Sequence, residues 1–178
     1  MNLNETTIKT EYKFKGSVVN VRVDTVKTPK GNIATRDVVE HPGGVAIVAL
    51  DDEGNVIMER QYRRPLDKVI FEIPAGKLNY GEDPLECAKR ELEEETGLCA
   101  KNFESLGFIY PSPGFCDERL YLFLATGLYE GRENRDEDEF LEIVKTPIKE
   151  LVEMIKNDQI EDSKSIAAIM KTYLKLYS

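Results

Sequence analysis

Residues 76–98 read Gly76-Lys77-Leu78-Asn79-Tyr80-Gly81-Glu82-Asp83-Pro84-Leu85-Glu86-Cys87-Ala88-Lys89-Arg90-Glu91-Leu92-Glu93-Glu94-Glu95-Thr96-Gly97-Leu98. Asp83 has the side chain of an N-cap and Pro84 suits the first helical position. Glu86, three residues on, completes an acidic capping box, and Gly97 stands where a helix ends in a left-handed residue. The signals predict a helix over Pro84–Thr96. At about 100° per residue, Leu85, Ala88 and Leu92 form one apolar stripe, Glu91 and Glu95 stack along its edge, and Glu94 lies slightly further round. Carboxylates crowded on one face repel each other unless a cation occupies the gap. An all-oxygen ligand set calls for a hard ion, magnesium or manganese, rather than zinc. Arg90 lies within one turn of both Glu86 and Glu94, so its guanidinium is expected to hold carboxylates in position without competing for metal.

Upstream of this helix, Lys9–Lys15, Val18–Lys27 and Ala34–Glu40 read as strands, with Pro29-Lys30-Gly31-Asn32 as a turn. They predict a small antiparallel sheet of its own in residues 1–42. After Pro42-Gly43-Gly44, Val45–Leu50 and Val56–Arg60 flank Asp51-Asp52-Glu53-Gly54-Asn55 as a hairpin, opening a main domain over residues 43–178. Downstream, Ser105–Tyr110 and Leu120–Ala125 read as strands around Pro111-Ser112-Pro113-Gly114, and Phe140–Val144 as another. Two helices close the chain, one from Thr146-Pro147 and one from Asp162 or Ser163. Their apolar stripes are expected to be core. The mixture of strands and helices places the chain in the α/β (α+β) class.

Composition narrows the function. In 178 residues, 41% are hydrophobic and 32% charged, which suits one ordinary domain with a small appendage. No run reaches the roughly 18 apolar residues of a membrane helix, and the N-terminus has neither a basic start nor an apolar core. Three cysteines without a Cys-x-x-Cys pair suggest neither a disulfide framework nor a thiolate zinc site. A cytoplasmic protein is expected. The single histidine, His41, excludes schemes needing two imidazoles, and a net charge of −9 without a basic stripe argues against nucleic acid.

Written as a spaced pattern, the opening stretch is Gly76, five residues, Glu82, seven residues, Arg90-Glu91-Leu92, one residue, Glu94-Glu95, one residue, Gly97-Leu98. This resembles the signature of the Nudix hydrolases at every fixed position. Seven fixed residues match by chance at on the order of 10⁻⁸ per starting position. The resemblance implies an α-β-α sandwich around a mixed sheet, and metal-dependent hydrolysis of a pyrophosphate linked to a nucleoside. It also implies metal ligation by Glu91, Glu95, Glu94 and the carbonyl of Ala75, with Glu94 counted among the catalytic acids as well and Glu82 and Arg90 in support. Magnesium is the implied ion, with manganese as a substitute.

Nearly the whole chain looks like the ADP-ribose pyrophosphatase branch. The resemblance is carried by Arg60-Gln61-Tyr62-Arg63, by Glu72-Ile73-Pro74-Ala75-Gly76-Lys77, and by Pro113, fifteen residues beyond Leu98. It implies cleavage of ADP-ribose to AMP and ribose 5-phosphate. The alternatives are another nucleoside diphosphate sugar or dinucleotide, or a catalytically silent sensor that binds ADP-ribose. Arg63 has the planar fork of a diphosphate clamp, its alternative being an ion pair. Glu118 is nominated for a ribose hydroxyl or adenine edge, its alternative a solvent-facing acid. In the branch the N-terminal sheet commonly crosses to a second subunit, which implies a homodimer, with Arg36 where a partner would supply a substrate contact. The aromatic that stacks on adenine is left unassigned.

A ligating carboxylate is a poor base, so the proton acceptor is expected elsewhere. The branch keeps it on a loop before the last strand, here the second acidic cluster, Glu133-Asn134-Arg135-Asp136-Glu137-Asp138-Glu139. Glu137 is the expected base and Glu139 an additional metal ligand. The swapped assignment and a purely solvated loop are the alternatives.

Overall fold

The computed structural model describes residues 2–132 and 140–177, and the chain divides into two compact units. The first comprises residues 1–43 and 110–119. In it β1 (Thr6–Lys15), β2 (Asn20–Lys27) and β3 (Ile33–Glu40) form an antiparallel three-stranded sheet in that order. The second strand starts at Asn20 rather than Val18 because Gly16 N–H donates to Val19 O, so the residues between them make the turn. All ten residues of β1 are exposed. Segment 110–119 joins this unit through β3: Val39 N–H donates to Phe115 O at 2.7 Å and Asp117 N–H to Val39 O at 3.1 Å.

The second unit comprises residues 44–109 and 120–178. Its elements are β4 (Gly44–Leu50), β5 (Asn55–Arg63), β6 (Lys68–Glu72), β7 (Ala75–Lys77), α1 (Pro84–Thr96), β8 (Leu98–Ile109), β9 (Leu120–Glu130), β10 (Leu141–Pro147), α2 (Ile148–Lys156) and α3 (Ser163–Tyr177). The sheet runs β10-β5-β4-β9-β8, with β4 and β9 parallel and the other pairs antiparallel. β4 is buried on both faces, and side chains of a strand alternate between faces. Val45, Ile47 and Ala49 therefore pack with Cys87, Ala88 and Leu92 of α1. Ala46 and Val48 pack with Leu151 and Val152 of α2 and Ala168 and Ile169 of α3. The result is the expected α-β-α sandwich around a mixed sheet.

The central sheet opens where the site is built. β4 and β5 pair at a single position, Leu50 with Val56, and then diverge. β6 takes the freed edge of β5 at Glu59–Arg63, and β7 takes that of β4 at Gly44–Ala46. Neither short strand was anticipated from the sequence. Pro74 O accepts from Ile47 N at 2.9 Å, fixing the Pro74-Ala75-Gly76 backbone against the central strand.

Candidate active site

The box helix forms as its caps dictate. Asp83 Oδ1 accepts from Leu85 N at 2.9 Å and Glu86 N at 3.3 Å, and Gly97, at φ 69°, donates to Glu93 O. With one face of α1 packed on β4, its register sets the acids against β7. Glu95 is buried, and its Oε2 accepts from Ala75 N at 3.0 Å. The Glu91 carboxylate lies over Gly76 so closely that a Cβ there would stand 1.8 Å from its Cδ. Glu91, Glu95 and Ala75 thus come together, and the glycine is required by the close approach.

Arg90 organises the remaining acids. Its Nε and Nη2 grip Glu82 Oε1 and Oε2 at 2.9 and 3.0 Å, and its Nη1 donates to Glu91 Oε1 at 2.7 Å and Glu94 Oε2 at 2.9 Å. Nη2 also reaches Lys77 O at 3.4 Å. Glu82 is held down to about 2 by these bonds and by Asn79 N–H. The Arg90 guanidinium is raised, first by its bonds to Glu82. The expected Arg90–Glu86 pairing is corrected: Glu86 binds Lys89 at 2.7 Å, and Arg90 turns instead to the loop, where Glu82 offers both oxygens to its fork. The same helix face buries Cys87, whose thiol burial pushes up to about 12, unsuited to nucleophilic chemistry.

The donor set fits a hard divalent cation. It is all oxygen, it gathers on the Ala75–Gly76 backbone, and Gly76 leaves the room that a side chain would fill. Among the described residues no three His, Cys, Asp or Glu side chains stand in a ready cage, since Glu91 and Glu94 both turn to Arg90 Nη1. Arg90 supplies there the positive charge that crowded carboxylates require.

Arg63, at the end of β5, binds Glu72 bidentately, Nε to Oε1 at 2.8 Å and Nη2 to Oε2 at 2.9 Å. Its ion-pair alternative is therefore present, though the partner is a fully buried acid rather than a surface one. The Arg63 side chain keeps 40% exposure. Burial works against its charge, but the bonds and field of Glu72, together with the fields of Asp162 and Glu95, outweigh it, and the guanidinium is raised. Glu72 also accepts from Lys164 of α3, and Ser165 Oγ accepts from Ile73 N at 2.9 Å. From the sequence Glu72 counts only within the Glu72–Lys77 stretch that carries the resemblance, and Lys164 and Ser165 have no part. The one available signal was Asp162-Ser163-Lys164-Ser165, a polar start to a helix read only for its apolar stripe.

Arg36 and Glu118 belong to the first unit. Arg36 Nε donates to Glu5 Oε2 at 3.1 Å and Nη1 to Thr35 O at 2.9 Å. It lines a cleft of about 520 Å³ with Tyr110, Phe115 and Arg119. Glu118 Oε1 stands 3.5 Å from His41 Nδ1, which accepts from Gly43 N. Glu137 and Glu139 lie outside the described residues.

Residues 40–169 match the family model described as NUDIX domain, and residues 5–44 the one described as nucleoside diphosphate sugar hydrolase N-terminal domain. The chain is 47% identical to the methanol dehydrogenase activator of Bacillus methanolicus, over 97% of this chain and 93% of that protein. It is 43% identical to the ADP-ribose pyrophosphatase of Bacillus subtilis (strain 168), over 98% of this chain and 95% of that one. A solved structure, the crystal structure of ADP compounds hydrolase, superposes with a TM-score of 0.87 at 21% identity, covering 99% of this chain and 96% of that one. That likeness shows the fold.

Proposed function

The chain belongs to the Nudix family and is a hydrolase of it, and from that premise we propose that it cleaves the diphosphate of ADP-ribose to AMP and ribose 5-phosphate with magnesium bound. The observation that carries the substrate is the 43% identity to an ADP-ribose pyrophosphatase over nearly the full length of both chains. Glu91, Glu94, Glu95 and the carbonyl of Ala75 would hold the cation, and manganese suits the same donors. Bound there, it neutralises diphosphate charge and polarises the phosphorus for attack.

The chain's own groups do the rest. Arg63 presents N–H donors to a phosphate oxygen, orienting the diphosphate. Glu82 and Arg90 hold the acids of α1 in place against their mutual repulsion. Glu137 takes the proton of the attacking water as its oxygen bonds to phosphorus and the phosphorus–oxygen bridge breaks. Glu139 joins the metal ligands, or exchanges roles with Glu137. Residues 1–42 serve dimerisation and substrate contact through Arg36, with Glu118 contacting the ribose or adenine. The homodimer reading is supported by β1, where Ile8, Tyr12 and Phe14 stand exposed. Three free cysteines suit a cytoplasmic location. Among the described residues no helix is long and apolar enough to cross a membrane.

Product analysis tests the reading, with ADP-ribose, ADP-glucose, NADH and flavin adenine dinucleotide as substrates, each with magnesium and with EDTA. The expected result is magnesium-dependent conversion of ADP-ribose ahead of the others. Equal turnover in EDTA refutes the metal, faster turnover of another compound moves the substrate, and binding without turnover makes the chain a sensor. Sedimentation tests the dimer. The 47% identity to a dehydrogenase activator favours a second reading, in which the chain modulates a partner enzyme. Stimulation of an added alcohol dehydrogenase by a hydrolytically inactive variant would establish it.

A further inference from the structure

Behind Arg63 lies a cluster of charges that the hydrolytic scheme leaves unused. Glu72 is fully buried, and Lys164, on the first turn of α3, is buried beside it. Glu72 Oε2 accepts from both Arg63 Nη2 and Lys164 Nζ. Lys164 Nζ also donates to Asp162 Oδ2 at 3.0 Å, and the same oxygen accepts from Ser165 N at 3.0 Å. Ser165 Oγ in turn accepts from Ile73 N. The first turn of α3 is therefore tied to Glu72 and Ile73, directly before Pro74 and Ala75.

A physical consequence follows. A bidentate pair transmits geometry, because the plane of the Glu72 carboxylate sets the plane of the guanidinium that grips it. Lys164 holds that carboxylate from the other side. Asp162 pairs with Lys164 in turn, so the four charges balance, and what Lys164 adds is the orientation of the Glu72 carboxylate. Glu72 engages two of the five guanidinium N–H donors, leaving three for another acceptor. A staple alone does not require these charges, since well-packed apolar side chains serve a buried contact equally well.

We propose that Lys164 is a positioning residue for hydrolysis: acting through Glu72, it fixes the plane of the Arg63 guanidinium that meets the substrate diphosphate. The inference rests on the assignment of Arg63 to the diphosphate made above. Its test is a double-mutant cycle on the full chain with ADP-ribose at saturating magnesium, reading kcat, KM and the melting temperature for wild type, Lys164→Met, Arg63→Met and the double variant.

Lys164→Met is expected to raise KM about ten-fold with kcat little changed, and the double variant to show a KM no higher than Arg63→Met alone. An unchanged KM in Lys164→Met overturns the proposal. So do increments that multiply in the double variant, since those belong to a helix staple independent of Arg63. An unchanged KM in Arg63→Met removes the Arg63 assignment, and the proposal with it. Should Lys164→Met not fold, Lys164→Arg, which keeps the charge but imposes a different geometry on the Glu72 carboxylate, takes its place under the same criteria.

Discussion

Gly76→Ala separates the proposed metal site from the fold, because the three atoms nearest the new methyl are those of the glutamate proposed to hold the ion. The added Cβ would meet Glu91 Cδ at 1.8 Å and its two oxygens at 2.1 and 2.2 Å. Carbon atoms rest at ~3.5 Å or more, so the Glu91 carboxylate must retreat by ~1.7 Å. For the fold this costs little. An off-rotamer side chain costs ~0.5–1.5 kcal/mol, and the Arg90–Glu91 contact, if lost, is worth about 1 kcal/mol at most in its partly exposed setting. Removing glycine's freedom from the unfolded chain returns ~0.4–1 kcal/mol. The melting temperature is therefore expected to fall by only ~2–4 °C.

For catalysis the same displacement exceeds the tolerance of a ligand. Misplacement by about 1 Å costs on the order of 10²-fold, so kcat is expected to fall at least that far and the magnesium requirement to rise. Gly44→Ala is the contrasting control. Its Cβ would meet the backbone oxygen of Gly76 at 2.7 Å, and two paired strands do not step aside as a side-chain end does. It should lose stability first. The assays are ADP-ribose hydrolysis across a magnesium titration and calorimetric melting. If Gly76→Ala keeps its kcat within about two-fold at the wild-type magnesium requirement, Glu91 is not a ligand and the approach to Gly76 is mere packing.

Glu82, with its folded value held down to about 2, contributes stability that is complete above its ordinary 4.5 and lost as pH falls through about 2. Melting temperature should accordingly drop more steeply below pH 4.5 in wild type than in Glu82→Gln, and parallel curves would dismiss the Arg90–Glu82 pair as a source of stability. Arg63→Lys keeps a charge but loses the fork, so KM should rise while the magnesium requirement stays constant; a change confined to melting temperature would leave Arg63 a structural partner of Glu72. Glu137→Gln should lower kcat by ~10²–10⁴ with substrate and metal affinity retained, and wild-type kcat in both Glu137→Gln and Glu139→Gln would take that loop out of the mechanism.

What the sequence disclosed and what it hid divide by the distance at which each residue finds its partner. The box helix was legible to the residue because Asp83, Pro84 and Gly97 act within one turn of the backbone they cap. β4 was legible as a strand, while the hairpin expected between it and β5 holds only at Leu50 and Val56. β7 was not, because Ala75-Gly76-Lys77 has no alternation to read, and it becomes a strand only where β4 and β5 diverge. Arg90 shows the same boundary within one side chain. Helical spacing names Glu86 and Glu94 as its neighbours, and Glu94 is indeed bound. Glu86 is not its partner, because the loop folds back and delivers Glu82 in bidentate geometry, a stronger claim than one carboxylate a turn away. Lys164 lies furthest beyond the reach of pattern. On its own helix it stands in the polar first turn, ahead of the apolar stripe, and a buried lysine makes physical sense only once a strand 92 residues earlier brings Glu72 to it. Local signals thus disclosed the groups that carry charge, while the groups that aim them came from tertiary pairing. For the same reason substitutions of Gly76 and Lys164, which touch no substrate in the scheme, are the sharper tests of how the site is held.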